Sequence, residues 1–177
     1  FLDLLEYLVS QNELVIREDG WIETGIRDIW DPRSHGNFDE ISRDAQIFIP
    51  KNFPGQWSKF ANLLLIASNA DNREFAFHSP NNATNSPAIA IRLSADAEIR
   101  HIQVHNRRNR QFYDRAKDLA VWTSLDGNEW KQVWKSAEPQ AVYEIELPPG
   151  SRAKYIKLGL DGRGILHLNQ VVVFGNR

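Results

Sequence analysis

The sequence predicts an all-β fold, an antiparallel β-sandwich, and three observations carry that prediction. Beyond residue 60, short extended runs follow one another at regular spacing, separated by turn residues and without a helical period. Two of the runs alternate strictly: Tyr143, Ile145 and Leu147 with Val142, Glu144 and Glu146, and Ile156, Leu158 and Leu160 with Tyr155, Lys157 and Gly159. Such alternation marks a strand with one buried and one wetter face. Between two tryptophan-bearing runs stands "SLDGNEW", whose Asp126-Gly127 suits the positive φ angles of a tight hairpin.

Taken in order, the chain opens on "FLDLLEYLV". Phe1, Leu4, Leu5 and Leu8 share one helical stripe, with Asp3, Glu6 and Tyr7 off it, so residues 1 to 12 are expected to form a helix. The stretch is too short and too charged for a membrane span. Its stripe calls for cover by this domain or by an upstream part of the polypeptide. From residue 13 to 45 the pattern is mixed, with extended runs broken by Gly20, Gly25, Pro32 and Gly36. Residues 1–45 are therefore read as a helix and extension leading from an upstream domain, and 46–177 as the sandwich. Within the latter the expected strands are 88–93, 99–106, 118–124, 129–134, 142–147, 154–160 and 169–175.

Composition narrows the function. With 42% hydrophobic and 25% charged residues the chain can bury a sizeable core. The 21 Lys+Arg are offset by 23 Asp+Glu, for a net charge of -2, which argues against a dedicated nucleic-acid binder. Without cysteine there is no disulfide, thiolate zinc site or cysteine nucleophile. No methionine is present, so Phe1 is read as a cut point within a longer polypeptide. The histidines lack the spacing of metal ligands: His101 and His105, four apart in a strand, are separated by about 13 Å. With no nucleophile-elbow motif and with Asp39 and Glu40 in turn-like sequence, no active site is expected.

The densest polar feature is "HNRRNRQFYDR", residues 105 to 115, with four arginines and two aromatics. Planar guanidinium donors that span neighbouring hydroxyls, beside an aromatic plate for the C–H face of a ring, are what sugar recognition needs.

Larger segments carry a resemblance. "FHSPNNATNSPAIAIRL", "IRHIQVHNRR" with Arg115 beyond it, "LAVWTSLDGNEWKQVW", "AKYIKLGL" and "LHLNQVVVFG" are similar, in that order, to the discoidin family, the C-type domain of coagulation factors V and VIII. The resemblance covers roughly residues 60 to 175. It implies a galactose-binding-like jelly roll, with residues 107–115 as a loop at one rim of the sandwich, where such scaffolds carry binding sites. Departures accompany it: "AIAIRL" carries Arg92 where the family usually has Asp, and the family's aromatic residues there are missing.

The family's fucose-binding members use a His, then Arg-x-Asp, then a further Arg or Lys. His78, Arg107-Arg108-Asn109 and Arg115 are similar to that pattern, with Asn in place of Asp. The candidate ligand-binding residues are therefore His78, Arg107, Arg110, Tyr113 and Arg115. Trp57 joins them from its own setting, a Pro- and Gly-containing stretch suited to a binding rim. Arg107 has two readings, ligand contact or loop brace, and His78 likewise, ligand contact or core histidine. Arg115 has the plainer alternative of a surface pair with Asp114 or Asp118.

The resemblance also implies a calcium loop, here Asn69, Asp71 and Asn72. Its closing carboxylate is replaced by Gln170, so calcium is disfavoured and no other cofactor is expected. The function these readings imply is a non-catalytic carbohydrate-binding module of a bacterial, polysaccharide-handling polypeptide, with a glycan and the upstream domain as partners. The alternatives are a protein-interaction module docking a neighbouring domain, and a module for acidic phospholipid, for which only Phe112 and Tyr113 would serve as apolar spikes.

Overall fold

The computed structural model describes residues 14–16, 22–24, 33–48, 61–65, 74–80 and 84–177. The chain divides into two compact units, Phe1–Asp31 and Pro32–Arg177. In the first, β1 (Leu14–Ile16) and β2 (Ile22–Thr24) pair antiparallel. The helix expected over residues 1–12 lies outside the described residues, as do Trp57 and the loop carrying Asn69, Asp71 and Asn72.

The second unit is an antiparallel sandwich. Its strands are β3 (Ser34–His35), β4 (Phe38–Glu40), β5 (Gln46–Phe48), β6 (Phe77–His78), β7 (Thr84–Asn85), β8 (Ala88–Asn106) and β9 (Leu119–Ser124). They continue with β10 (Lys131–Lys135), β11 (Val142–Glu146), β12 (Arg152–Leu160), β13 (Arg163–Gly164) and β14 (His167–Asn176). Because β4 pairs with β14 and β5 with β8, residues on both sides of position 45 join the sandwich.

The spine is β8, which serves both layers. Its first half lies between β12 and β5, with Ile91 opposite Ile156 and Ile47; its second half lies between β11 and β14, with Ile102 opposite Ile145 and Val173. Residues 88–93 and 99–106, read from sequence as two strands, are thus one strand of 19 residues. The exposed Ser94, Ala95 and Asp96, polar enough to suggest a turn, form a bulge instead: residues 93–96 stand opposite the single residue Lys154. A bulge bends and twists a strand without ending it, which lets β8 turn the corner between layers.

The remaining expected strands appear with ends shifted by a residue or two. Their alternation is the one read from sequence: Tyr143, Ile145, Ile156 and Leu158 are fully buried and pack with Ile89, Ile91, Val104, Leu119 and Val171 in one core. Tyr143 is the polar member, and its hydroxyl donates to Ala116 O at 3.1 Å while accepting from Gln140 N. Among the described residues no helix is long and apolar enough to cross a membrane.

The β9–β10 connection is wider than the tight hairpin expected. Only Gly127 has positive φ, at 80°, and Asp126 organises the loop through its side chain. Asp126 Oδ1 accepts from Asn128 N and Glu129 N at 2.9 and 3.0 Å and from Ser124 Oγ, whose oxygen accepts from Gly127 N. Those backbone N–H groups, foremost that of Asn128, hold the Asp126 carboxyl at about 2. A carboxylate closing several amides replaces the second left-handed residue that a two-residue turn would need. A Cβ at position 127 would meet the Tyr155 ring at 3.4 Å, and the φ of 80° is unsuited to a β-branched residue. Gly127→Val is therefore expected to cost about 1 to 3 kcal/mol, read as a lowered urea midpoint at unchanged slope.

Candidate functional site

The loop opened by Asn106 is built from inside the protein outward. Asn106 is buried at the end of β8, where its Nδ2 donates to Gln140 O at 3.0 Å and its Oδ1 accepts from Arg107 N at 2.8 Å. The asparagine beside Arg107 thus braces the start of the loop. Asn109 then caps a 3-10 helix, Arg110–Ala116, by accepting from Gln111 N. The helix ends on Ala116, whose carbonyl is held by Tyr143.

From this frame Arg107 reaches across to the segment leading into β6. Its Nε donates to Glu74 Oε1 at 2.6 Å, Nη2 donates to the same oxygen, and Arg108 N donates to Glu74 O at 3.0 Å. The Arg107 guanidinium also lies 4.3 Å from the centre of the Phe112 ring and 5.0 Å from that of Phe75. Arg115 lies 4.6 Å from the same Phe112 ring. Two cations therefore share one aromatic plate, which favours both through the ring quadrupole. The described contact of Arg115 is this ring, and among the described residues no ion pair joins Arg115 to Asp114 or Asp118.

Beside the two guanidiniums stand two histidines, His78 on β6 and His167 opposite it on β14. Their rings meet edge-on at 5.4 Å, and Phe75 lies 4.9 Å from His78. Burial, followed by the charges of Arg107 and Arg115, pushes the His78 imidazole below its ordinary value despite its bond to Ser79 O. His167 is pushed further, to about 4, chiefly by burial and then by His78, Arg107 and Arg115, against a bond to Phe112 O. Its Nδ1 has no partner among the described residues, so protonation would bury an unpaired N–H. Both rings are neutral at pH 7. The site then holds two positive charges and the one negative charge of Glu74.

Of the six expected binding residues, the structure brings together His78, Arg107 and Arg115. Arg110 is exposed and Tyr113 half-buried on the same 3-10 helix, and no described hydrogen bond, ion pair or ring contact joins either to the cluster. Phe112, Phe75, Glu74 and His167 complete it. The sequence offered a signal for Phe112, as an aromatic in an arginine-rich loop, and for His167, within the "LHLNQ" segment that carries the resemblance. Gln170 is buried in β14 opposite His105.

Chemically, the cluster offers guanidinium donors, a carboxylate acceptor and aromatic edges at one rim. Such a set can donate to and accept from neighbouring hydroxyls at once. Residues 51–167 match the sequence model of the F5/8 type C domain. Among solved structures the chain is similar to an f-lectin (fucolectin) from Morone saxatilis serum, at 18% identity and TM-score 0.60 over 78% of this chain and 47% of that one. It is also similar to CpGH89CBM32-5 from Clostridium perfringens, solved in complex with GalNAc-β-1,3-galactose, at 14% identity and TM-score 0.57 over 77% and 99%. A third is the family 32 carbohydrate-binding module from Streptococcus pneumoniae EndoD, at 13% identity and TM-score 0.56 over 77% and 99%. At these identities the likeness establishes the fold. Among curated proteins none matches the chain.

Proposed function

Since the chain belongs to the F5/8 type C domain family, we propose that it is a non-catalytic carbohydrate-binding module whose rim cluster holds a neutral, hydroxyl-rich sugar. The observation that carries this reading is the shared plate: Arg107 and Arg115 both stack on Phe112, with neutral His78 beside them. Glu74 supports the neutral ligand, because it already occupies Nε and Nη2 of Arg107 and would repel a carboxylate. The fold neighbours include carbohydrate-binding modules and a lectin, which supports the same reading. Arg110, Tyr113 and Trp57 are proposed as outer contacts to further sugar residues. The polypeptide carrying the module is proposed to be a bacterial one that makes, modifies or displays a polysaccharide.

Calorimetric titration with neutral and uronic-acid oligosaccharides tests the proposal. A single neutral sugar should bind with a Kd of about micromolar to millimolar, because a shallow rim buries little area and must strip water from hydroxyls. Arg115→Ala should weaken binding at least about tenfold while changing stability by less than about 0.5 kcal/mol, since its described contact is with one ring. Arg107→Ala should lose both binding and stability, because the Arg107 side chain is largely enclosed and packs on the Phe112 and Phe75 rings while tying Glu74 to the loop. Glycan affinity indifferent to both substitutions would remove this rim from the site. No glycan bound at millimolar concentration would favour protein docking instead.

A further inference from the structure

Away from the rim, on the outer face of the layer formed by β11, β8 and β14, lies a second polar cluster. His101 of β8 has Glu146 of β11 on one flank and Phe174 of β14 on the other. Its side chain is 1% exposed, and both ring nitrogens face carboxylates. Nδ1 lies 2.8 Å from Glu146 Oε1 and Nε2 lies 2.7 Å from Glu144 Oε2. Gln103 Nε2 in turn donates to the other oxygen of Glu144 at 2.8 Å. Over this arrangement the β3–β4 hairpin folds His35, whose ring stacks on His101 at 3.8 Å and whose Nε2 is 3.2 Å from the same Glu146 oxygen.

We propose that His35, His101 and Glu146 form a binding site for a divalent transition-metal ion of the zinc type, with Glu144 as its outer-sphere brace. Two observations carry this independently. One nitrogen or oxygen from each of the three residues falls within 4.8 Å of the other two, close enough that turning one side chain brings all three to the spacing of about 3.3 Å between ligands of a single tetrahedral ion. Imidazole with carboxylate is a donor set that suits zinc and its neighbours in the series, and three protein ligands leave a fourth position for water.

The second observation is Glu144. A histidine that binds metal through one nitrogen donates its other N–H to a carboxylate, which fixes the tautomer and strengthens the ligand. The bond from Nε2 to Glu144, itself oriented by Gln103, supplies that support and aims Nδ1 at the shared Glu146 oxygen. Calcium or magnesium is a poorer match, because both prefer oxygen ligands.

The present side-chain arrangement also says which group moves. Two parallel rings cannot both direct a lone pair at an ion lying between their planes, and His35 and His101 are within 6° of parallel. His101 is enclosed, whereas the His35 side chain is 46% exposed. Binding therefore turns His35 and leaves His101 in place. The three ligands come from β3, β8 and β11, so the ion ties the hairpin Ser34–Glu40 to the sheet close to where the sandwich unit begins at Pro32. Along an extended strand His101 is about 20 Å from Arg107, so this site acts independently of the rim.

The test uses the full chain without a histidine tag, titrated with Zn²⁺ alone, with hydrogen exchange and melting curves alongside. One equivalent should bind, and saturation at a hundred times Kd should raise the melting temperature by about 5 to 10 °C, reversed by chelator. Amides of residues 34–40 should gain protection. His35→Ala and Glu146→Gln, both at exposed positions that leave the fold intact, should each weaken Zn²⁺ binding at least tenfold. Glu144→Gln should weaken it about 10- to 100-fold through the brace. Co²⁺ in place of Zn²⁺ should give the intense visible absorption of a four-coordinate nitrogen and oxygen site, lost in His35→Ala. Unchanged Zn²⁺ affinity in His35→Ala and Glu146→Gln would place the ion elsewhere, and no binding below about 100 μM would leave the cluster a hydrogen-bonded clasp. Either result overturns the proposal.

Discussion

Replacing Gly175 by alanine is expected to cost about 3 kcal/mol or more and to leave little folded protein at physiological temperature. Gly175 lies on β14 at a bulge, where the register against β8 slips between Phe174 opposite His101 and Gly175 opposite Ile99. At that slip the two backbones approach so closely that a Cβ on Gly175 would sit 2.1 Å from Glu98 O and 3.1 Å from Glu98 C. These are main-chain atoms of the spine strand, held from its other side by β12 through the Arg152 and Glu98 pairing. They cannot swing aside as a side chain would.

The methyl group must therefore push β14 away from β8 at the corner that joins both layers. Gly150→Ala is the control, since Gly150 has a φ of 80° but nothing within 4 Å of its Cβ. It should cost only about 1 to 2 kcal/mol, the penalty of the left-handed region alone. Chemical denaturation of both variants separates close approach from backbone strain. A Gly175→Ala protein no less stable than Gly150→Ala would show that the corner can open without loss.

Acidification should weaken the fold well before its carboxylates are titrated. His167 has its folded value near 4, against an ordinary 6.5, because its enclosed ring has no partner for a second proton. Between those two values the unfolded chain holds a proton on this residue that the folded chain refuses. Stability therefore rises with pH across the window, is complete above about 6.5, and falls progressively toward pH 4. The two values bound the loss from His167 at about 3 kcal/mol. His78, lowered in the same direction by burial, adds to it.

Protonation here also places new positive charge beside Arg107 and Arg115, so the rim itself should loosen first. Urea midpoints between pH 7 and 4, with glycan affinity measured in parallel, check both parts. His167→Asn, lower in absolute stability at pH 7, should show a flatter profile. A wild-type profile that is level from 6.5 to 4.5 would contradict the enclosure of this ring.

The strand alternation at Tyr143, Ile145, Ile156 and Leu158 was legible because it is local: a residue's face follows from its neighbours two positions away. The turn chemistry of Asp126-Gly127 was legible in kind, although its form depended on which amides the Asp126 carboxylate could close upon. The continuity of β8 was not legible, since Ser94, Ala95 and Asp96 look the same in a turn and in a bulge. The short β3 and β4 were also missed, because two or three residues carry no period.

At the candidate site, the arginines and His78 came from motif order, but their partners did not. Glu74 has no mark in the sequence that pairs it with Arg107. His35 and His101 have no spacing that predicts a stacked pair. Spacing tests only whether residues meet within one element, and in a strand it correctly kept His101 from His105.

By itself, then, the sequence determined the all-β class, the faces of the strands and an arginine-rich, aromatic loop, because each depends on covalent neighbours and intrinsic conformational preference. Tertiary structure alone decided that Phe112 lies under two guanidiniums, that His167 is enclosed, that Gly175 touches the spine strand and that His35 covers His101. Each of those contacts is set by register and by the bend of β8, and register is the joint outcome of all the non-local pairings in the sandwich.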